Sequence, residues 1–600
     1  MSAAPDARES LAEIVAAVAR AEGSPEQPAV SARISILRNY TIEPVEPFLK
    51  SQLYRAGIRP DVRFGGYDTV AQDLMDAGSG LLEPAPDILV LSLMLDILEP
   101  DWNAPGWSAE GLRDRLAGLW EMAASKTDAL IVLNTFLPPS YPAGGTIVSR
   151  ATSCAEEQIL QTNRSVREFA RERPDRFFVA DWERLLRVLG EQESLDRRYW
   201  YLAKAPFRRA FLEAYALEIV KLARALKGRT KKCLVLDCDN TLWGGVVGEE
   251  GLQGIQLDRN EYPGKAYFDF QRSVLNLAER GVLICLCSKN NEEDVWEVLD
   301  NHPDCLVKRS HLAGWRVNWQ DKATGIAGLA EELNLGLDSF VFVDDDPAQC
   351  ELIRQALPEV EVLQTPAKLY TYADLLLRDG LFDTLGATDE DRQRAALYQT
   401  EARRREARTK FGDLDGYLRS LKIRADIHPV RPEELPRAAQ LTQKTNQFNL
   451  TTRRYTEAQV AAMAASPDWS VWTLSARDSF GDMGLTGVLI ARRDGSVGVI
   501  DTYLLSCRIL GRELEYAFAE TVMSALERLW GNSDWRASYI ATLKNAQVAG
   551  FWQSFGFSVT AEDGDETFLT VAASRRVRYT KDLVEISFAE EQLWKNESGK

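Results

Sequence analysis

The chain has 600 residues, with 45% apolar and 27% charged side chains and a formal net charge of −18. That length exceeds one hydrophobic core and predicts about three domains of roughly 150–200 residues. The acidic balance excludes a nucleic-acid binder, which needs a basic stripe, and argues against anionic membranes, although a cation in one pocket would still admit an acidic substrate.

No run approaches the ~18 consecutive apolar residues of a membrane span; the nearest, 88–98, is interrupted by Asp96. The first ten residues carry no basic, apolar leader, and the eight cysteines form no CxxC pair. A cytoplasmic protein with reduced thiols is therefore expected. The three histidines are His302, His311 and His428, which leaves little for a histidine-based nucleophile or zinc scheme.

In chain order, residues 1–30 give an amphipathic pattern (Leu11, Ile14, Val15, Val18) and a Gly/Pro/Ser linker, read as a docking helix or a disordered tail. Residues 31–228 alternate strand-like runs (ARISILRNYT, DVRFGGY, PDILVLSLML, DALIVLNTFL, RFFVADW) with helical ones, which predicts a parallel α/β sheet. A second α/β sheet is expected over 229–365, with strands at 233–237, 282–287, 304–307, 339–343 and 360–363. Residues 366–425, including the Arg-rich 401–410, read as a helical connector. Over 426–600, antiparallel-looking strands, an Asp494-Gly495 turn and a long helix from Gly511 predict an α+β domain. The expected fold class is multidomain α/β.

LVLDCDNTLWGG places Asp237 and Asp239 at the carboxyl end of an apolar strand, where open α/β sheets bind ligands. Two such carboxylates suit a nucleophile that attacks phosphorus and a proton shuttle, with a hard cation between them. Thr241 follows in the same turn. LICLCSKNN ends a strand at Ser288, a donor for a phosphate oxygen; NWQDKA supplies the cation of Lys322; FVFVDDDP ends a strand at Asp344 and Asp345, further oxygen ligands for Mg2+.

In order and spacing this set resembles the haloacid dehalogenase superfamily. DCDNTLWGGVVGEEG, CSKNN, NWQDKA, FVDDDPAQCE and the distant KTNQFNLTTRRY resemble the FkbH-like family, over about residues 197–560. That resemblance implies a Mg2+-dependent phosphatase and glyceryl transferase, taking a small phosphorylated metabolite, 1,3-bisphosphoglycerate, to a glyceryl thioester on an acyl carrier protein in polyketide-type biosynthesis. It implies Asp237 as nucleophile and metal ligand, Asp239 as general acid/base and ligand through its carbonyl, Ser288 and Lys322 as phosphoryl holders, and Asp344 as metal ligand supported by Asp345. Trp243, Gly244, Gly245, Lys289 and Asn290 are expected beside the substrate. The chain departs from the family at Asp346 and Cys350, where Asn and Arg are common. A thioester needs a thiol, and Cys238 lies between the two acids; it is read either as acyl carrier or as packing, since neighbouring carboxylates disfavour a thiolate.

The N-terminal domain resembles SGNH hydrolases, yet RNYT (38–41) occupies the nucleophile turn and no histidine is present, so hydrolysis is not expected. Asn39, Asp96 and Asn134 are cleft or loop residues. LLSCRILGREL, with Arg508 and Gly511, and KNAQVAGFWQSFGF, with Asn545, resemble the acyl-CoA N-acyltransferase (GNAT) fold. There the first motif cradles a pyrophosphate on a helix N-terminus, but Glu513 adds an opposing charge. Lys444, Asn446, Gln447, Asn449, Arg453 and Arg454 either close over substrate or form a self-satisfied loop. Two other functions compete: a plain phosphomonoesterase, and a carrier-binding or GNAT-type protein with a structural phosphatase core.

Overall fold

The computed structural model describes residues 9–104, 106–141, 143, 145–146, 154–386, 413–506, 509–532, 534–542 and 544–588. The Arg-rich run 401–410 and Arg508 lie outside them. The chain divides into two compact units, Met1–Arg229 and Thr230–Lys600.

The first unit holds a parallel five-stranded sheet in the order β2-β1-β3-β4-β5, from β1 (Ser31–Arg38), β2 (Arg59–Tyr67), β3 (Ile88–Ser92), β4 (Leu130–Asn134) and β5 (Phe177–Ala180). β3 and β4 are buried along their full length, the continuous apolar pattern of a strand covered on both faces. The N-terminal amphipathic run forms the helix Leu11–Glu22, closed by a Ser10/Glu13 capping box, with Ile14 and Val18 buried.

The second unit opens with another parallel sheet, β10-β9-β6-β7-β8, from β6 (Cys233–Leu236), β7 (Leu283–Ser288), β8 (Leu312–Val317), β9 (Phe340–Asp344) and β10 (Glu361–Gln364). The strand expected at 304–307 is not formed. Leu306 and Val307 instead donate their amides to the Gln271 side-chain carbonyl, at 2.8 and 3.1 Å, so one side chain takes the place of a neighbouring strand. The edge strand comes later, at Leu312–Val317, where Gly314 and Arg316 interrupt the apolar run.

The expected connector is divided between two cores. Tyr372, Leu376 and Phe382 pack into the core of this second parallel sheet, and Leu418 and Leu421, on the helix Leu414–Leu421, pack into the C-terminal one. That C-terminal part carries a nine-stranded mixed sheet in the order β17-β18-β16-β15-β14-β13-β11-β19. Its strands are β11 (Ile423–Pro429), β12 (Phe448–Asn449), β13 (Trp469–Asp478), β14 (Gly481–Asp494), β15 (Val497–Leu505), β16 (Asp534–Ile540), β17 (Ser558–Asp563), β18 (Glu566–Ala572) and β19 (Val584–Phe588), with β12 paired to β15. β15 and β16 run parallel, but their register stops at Ile500 and Ala537. Beyond that point the chain's own 448–450 segment fills the opening: the Leu450 amide donates to the Tyr503 carbonyl and the Ile540 amide to the Leu450 carbonyl, at 3.1 and 2.8 Å.

Candidate active site

β6 and β9 lie side by side, so the residues that follow them emerge together at the carboxyl edge of the sheet. One carboxylate oxygen from each of Asp237, Asp344 and Asp345 falls within 4.8 Å of the others. The ammonium of Lys322 stands among them, 2.6 Å from Asp344 Oδ2 and 3.0 Å from Asp237 Oδ1. Asp237 Oδ1 has no aligned donor, so the cation sits beside it off the line of a hydrogen bond. Lys322 begins the helix Lys322–Leu333, whose amides at 323 and 324 are capped by Asp321. The sequence thus fixes the lysine backbone just before its side chain enters the site.

All three members of the Asp237–Lys322–Asp344 set are more than nine-tenths buried. Burial alone would lower the lysine, but Asp237 and Asp344 outweigh it and hold the ammonium above the usual lysine range. Burial and then the Asp237 charge push Asp344 upward. Asp345 is raised to about 6 by burial and by the neighbouring Asp237 and Asp344 charges. Three carboxylates facing one ammonium leave an excess of negative charge that a divalent cation would neutralise, and hard oxygen donors at this spacing fit Mg2+.

Asp239 points elsewhere. Its Oδ1 accepts from Trp243 Nε1 at 2.9 Å and the Val247 amide at 3.1 Å, and its Oδ2 accepts from Asn290 Nδ2 at 2.8 Å. Burial nevertheless raises its carboxyl, toward holding a proton. The loop that follows the two acids turns through Asn240, at φ +52°, whose side chain accepts the Gly245 amide. Thr241 is fully buried, and its carbonyl accepts from the Tyr372 hydroxyl at 2.7 Å. Tyr372 therefore braces the turn after β6 from the segment expected to be a connector; no local pattern marks it.

Several residues expected beside the substrate also shape the backbone. Trp243 is fully buried and its indole is engaged with Asp239. Gly244 pairs with Gln256, and a Cβ there would meet Gln256 and Tyr267 at 2.8 Å. Gly245 adopts φ +89°, against Glu250. Ser288 is buried at the end of β7, beside the Cys238 thiol. Lys289 is exposed, with its charge beside Asp321.

For Cys238, the surroundings fit the packing reading. Its side chain is wholly buried, and burial followed by the Asp237 charge pushes the thiol well above its usual range, which disfavours the attacking thiolate. At Cys350 the thiol reaches the Asp344 carbonyl at 3.6 Å, and Asp346 caps the helix Pro347–Ala356, so both departures from the family pattern are used structurally.

The 444–455 segment is placed away from the acids. Lys444 accepts at its carbonyl from Lys232 Nζ at 2.5 Å, and Lys544 pairs with Asp338. Lys232 and Asp338 precede β6 and β9, whereas Asp237 and Asp344 lie at the strands' other ends. Five residue steps from 232 to 237 separate the two by roughly 16 Å. Arg453 is committed to the buried Asp501 and, at 3.6 Å, to Glu566. Arg454 donates to the Thr442 and Thr445 carbonyls and to Asn446 Oδ1. Asn449 accepts from the Thr452 amide and donates to the Thr445 carbonyl. Gln447 Oε1 is buried without a partner.

Asn545, fully buried, pins this strap by donating to the Asn449 and Ile540 carbonyls, both at 2.9 Å. Arg453, Arg454, Asn449 and Asn545 thus find their partners within the C-terminal part, and the strap closes the β15–β16 opening. At the expected pyrophosphate cradle, Gly511 has φ +72°, but the buried Glu515 carboxylate lies beside it, with Oε2 unpartnered, and rises to about 7 chiefly through burial.

No family model and no curated protein matches the sequence. Among solved structures, the N-terminal part of BF1531 from Bacteroides fragilis, containing a phosphatase domain and complexed with Mg, is similar at 23% identity and a TM-score of 0.58, covering 63% of this chain and 100% of that one. The chain shares that fold. The ribosomal-protein-S18-alanine N-acetyltransferase from Escherichia coli matches 26% of this chain and 97% of its own, at 13% identity and a TM-score of 0.20. The PaiA N-acetyltransferase from Thermoplasma acidophilum, in complex with coenzyme A, matches 25% and 98%, at 14% and 0.19. Scores this low carry no weight here. The protein is a multidomain α/β chain with a phosphatase-like fold, and none of its described helices is long and apolar enough to cross a membrane.

Proposed function

We propose that the chain is a Mg2+-dependent phosphoryl-transfer enzyme of the haloacid dehalogenase type and, more finely, of the FkbH-like family. On this reading it converts 1,3-bisphosphoglycerate into a D-glyceryl thioester on an acyl carrier protein. The observation that carries the proposal is the Asp237, Asp344 and Asp345 cluster closed around Lys322. Asp237, Asp344 and Asp345 would hold Mg2+, which supplies positive charge to the phosphoryl oxygens. Asp237 attacks the phosphoester phosphorus, the bond to the leaving oxygen breaks, and Asp239, protonated and turned out of its contacts with Trp243, Val247 and Asn290, gives that oxygen its proton. Water then attacks the phospho-Asp237, returning its proton to Asp239. Lys322 stabilises charge on the transferring group from a fixed, dry position. At the acyl phosphate end, the carrier's thiol attacks the carbonyl carbon and phosphate departs with the thiol proton.

The buried Cys238 supports direct transfer to the partner's thiol rather than a thioester on this chain. The same burial, together with the raised thiols of Cys233, Cys287, Cys305 and Cys350, also favours a second reading, a phosphomonoesterase with no acyl transfer. Incubation with the bisphosphate and a carrier protein separates them: labelled glyceryl on the carrier, lost in Asp237→Asn, supports the transferase. Free phosphate with an unloaded carrier at every carrier concentration would leave only the phosphatase.

A further inference from the structure

Arg38 is the last residue of β1, in register with Tyr67 at the end of β2 and Ser92 at the end of β3. In the order β2-β1-β3-β4-β5 the chain leaves β1 toward β2 and leaves β3 toward β4, so the connections diverge between β1 and β3. Parallel α/β sheets bind ligands outside the carboxyl ends of such a strand pair.

Arg38 is 8% exposed, and its Nε and Nη1 are buried with no hydrogen-bond partner. Nη2 pairs with Glu43 Oε1, while Glu43 Oε2 is also buried and unpartnered. A guanidinium cannot discharge itself by losing a proton, and buried N–H groups without acceptors are costly. The other polar groups around it are spent. Asn39 exchanges hydrogen bonds with the backbone of Met94, Asn134 does so with Leu93, and Ser92 contacts the hydroxyls of Tyr40 and Tyr215. The half-exposed Tyr67 ring lies 5.6 Å from the guanidinium carbon.

We infer that the N-terminal unit binds a small oxyanion, a carboxylate or phosphate with a neighbouring hydroxyl, at the β1–β3 switch point. The anion accepts from Arg38 Nε and Nη1, and the hydroxyl donates to Glu43 Oε2. The first 301 residues contain no histidine, and Ser92 is fully buried, so the site recognises rather than hydrolyses. This site is independent of the acid cluster on β6 and β9.

The test is calorimetric titration of the full chain with inorganic phosphate and with glycerate, in EDTA so that no cation draws anions to the acid cluster, alongside a tungstate soak of crystals. Saturable binding, with tungstate at hydrogen-bond distance from Arg38 Nε or Nη1, is expected. Arg38→Met should raise both dissociation constants at least tenfold, and Glu43→Gln should weaken glycerate more than phosphate. Absence of saturable binding to the wild-type chain, an Arg38 side chain that carries only water in the soaked crystal, or unchanged affinity in Arg38→Met would each overturn the inference. If Arg38→Met does not fold, the wild-type titration and soak decide alone.

Discussion

Removing the Lys322 ammonium would leave Asp237 and Asp344 buried face to face with no cation between them. Lys322→Met is therefore expected to lower stability by about 3–5 kcal/mol in EDTA, because breaking one side of a buried ion set strands the other charges. Saturating Mg2+ should restore part of that loss, which denaturant unfolding with and without the ion would register. Asp345 titrates the other way from a salt-bridged acid. Held at about 6, above the ordinary carboxylate range, its ionised form costs stability in the cation-free protein at every pH above that value. The cost recedes as pH falls from about 6 toward the unfolded value near 4. Cation-free melting temperature should accordingly gain a component that rises on acidification through this window, while Mg2+ affinity weakens. A melting series in EDTA whose Asp345→Asn variant shows the same pH slope would refute the assignment. Cys238→Ala should leave phosphate release essentially unchanged and cost about 1–2 kcal/mol of packing.

At the scale of elements, the turn after β6 depends on a segment distant in sequence. Tyr372→Phe deletes one hydrogen bond to the Thr241 carbonyl, worth about 0.5–1.5 kcal/mol. Because that turn aims Asp237, kcat for phosphate release should fall while the Mg2+ midpoint stays put; a drop in Mg2+ affinity alone would argue against bracing. The strand ends that carry Asp237, Ser288 and Asp344 were legible because each closes an unbroken apolar run. β8 was not, because its own sequence is broken by Gly314 and Arg316, while the more apolar 304–307 is held by the Gln271 side chain. Tyr372 was hidden for a related reason: its partner is a carbonyl, which leaves no trace in residue type. The amide-rich 444–455 stretch reads equally as a ligand loop or a self-satisfied one, because Asn and Arg serve equally well as ligands and as pins. Only their partners, the Asp501 carboxylate and local carbonyls, tell the two apart.

Across the second unit, the phosphatase-like sheet meets the larger C-terminal sheet through Lys232 with Lys444 and Asp338 with Lys544. Nearby lysines hold the Asp338 carboxyl below its usual range against the effect of burial. A double-mutant cycle on Asp338 and Lys544 should give a coupling of about 0.2–1 kcal/mol, since both side chains keep partial solvent access. Neither single change should alter kcat. By contrast, a large loss of turnover in Asp338→Ala would mean that the two sheets cooperate during the reaction. The layout has a mechanical corollary. The acid cluster and the join to the larger sheet occupy opposite poles of one short parallel β-layer, so the acidic pole can admit and expel a ligand while the join stays clamped, and a lesion at one pole need not be felt at the other.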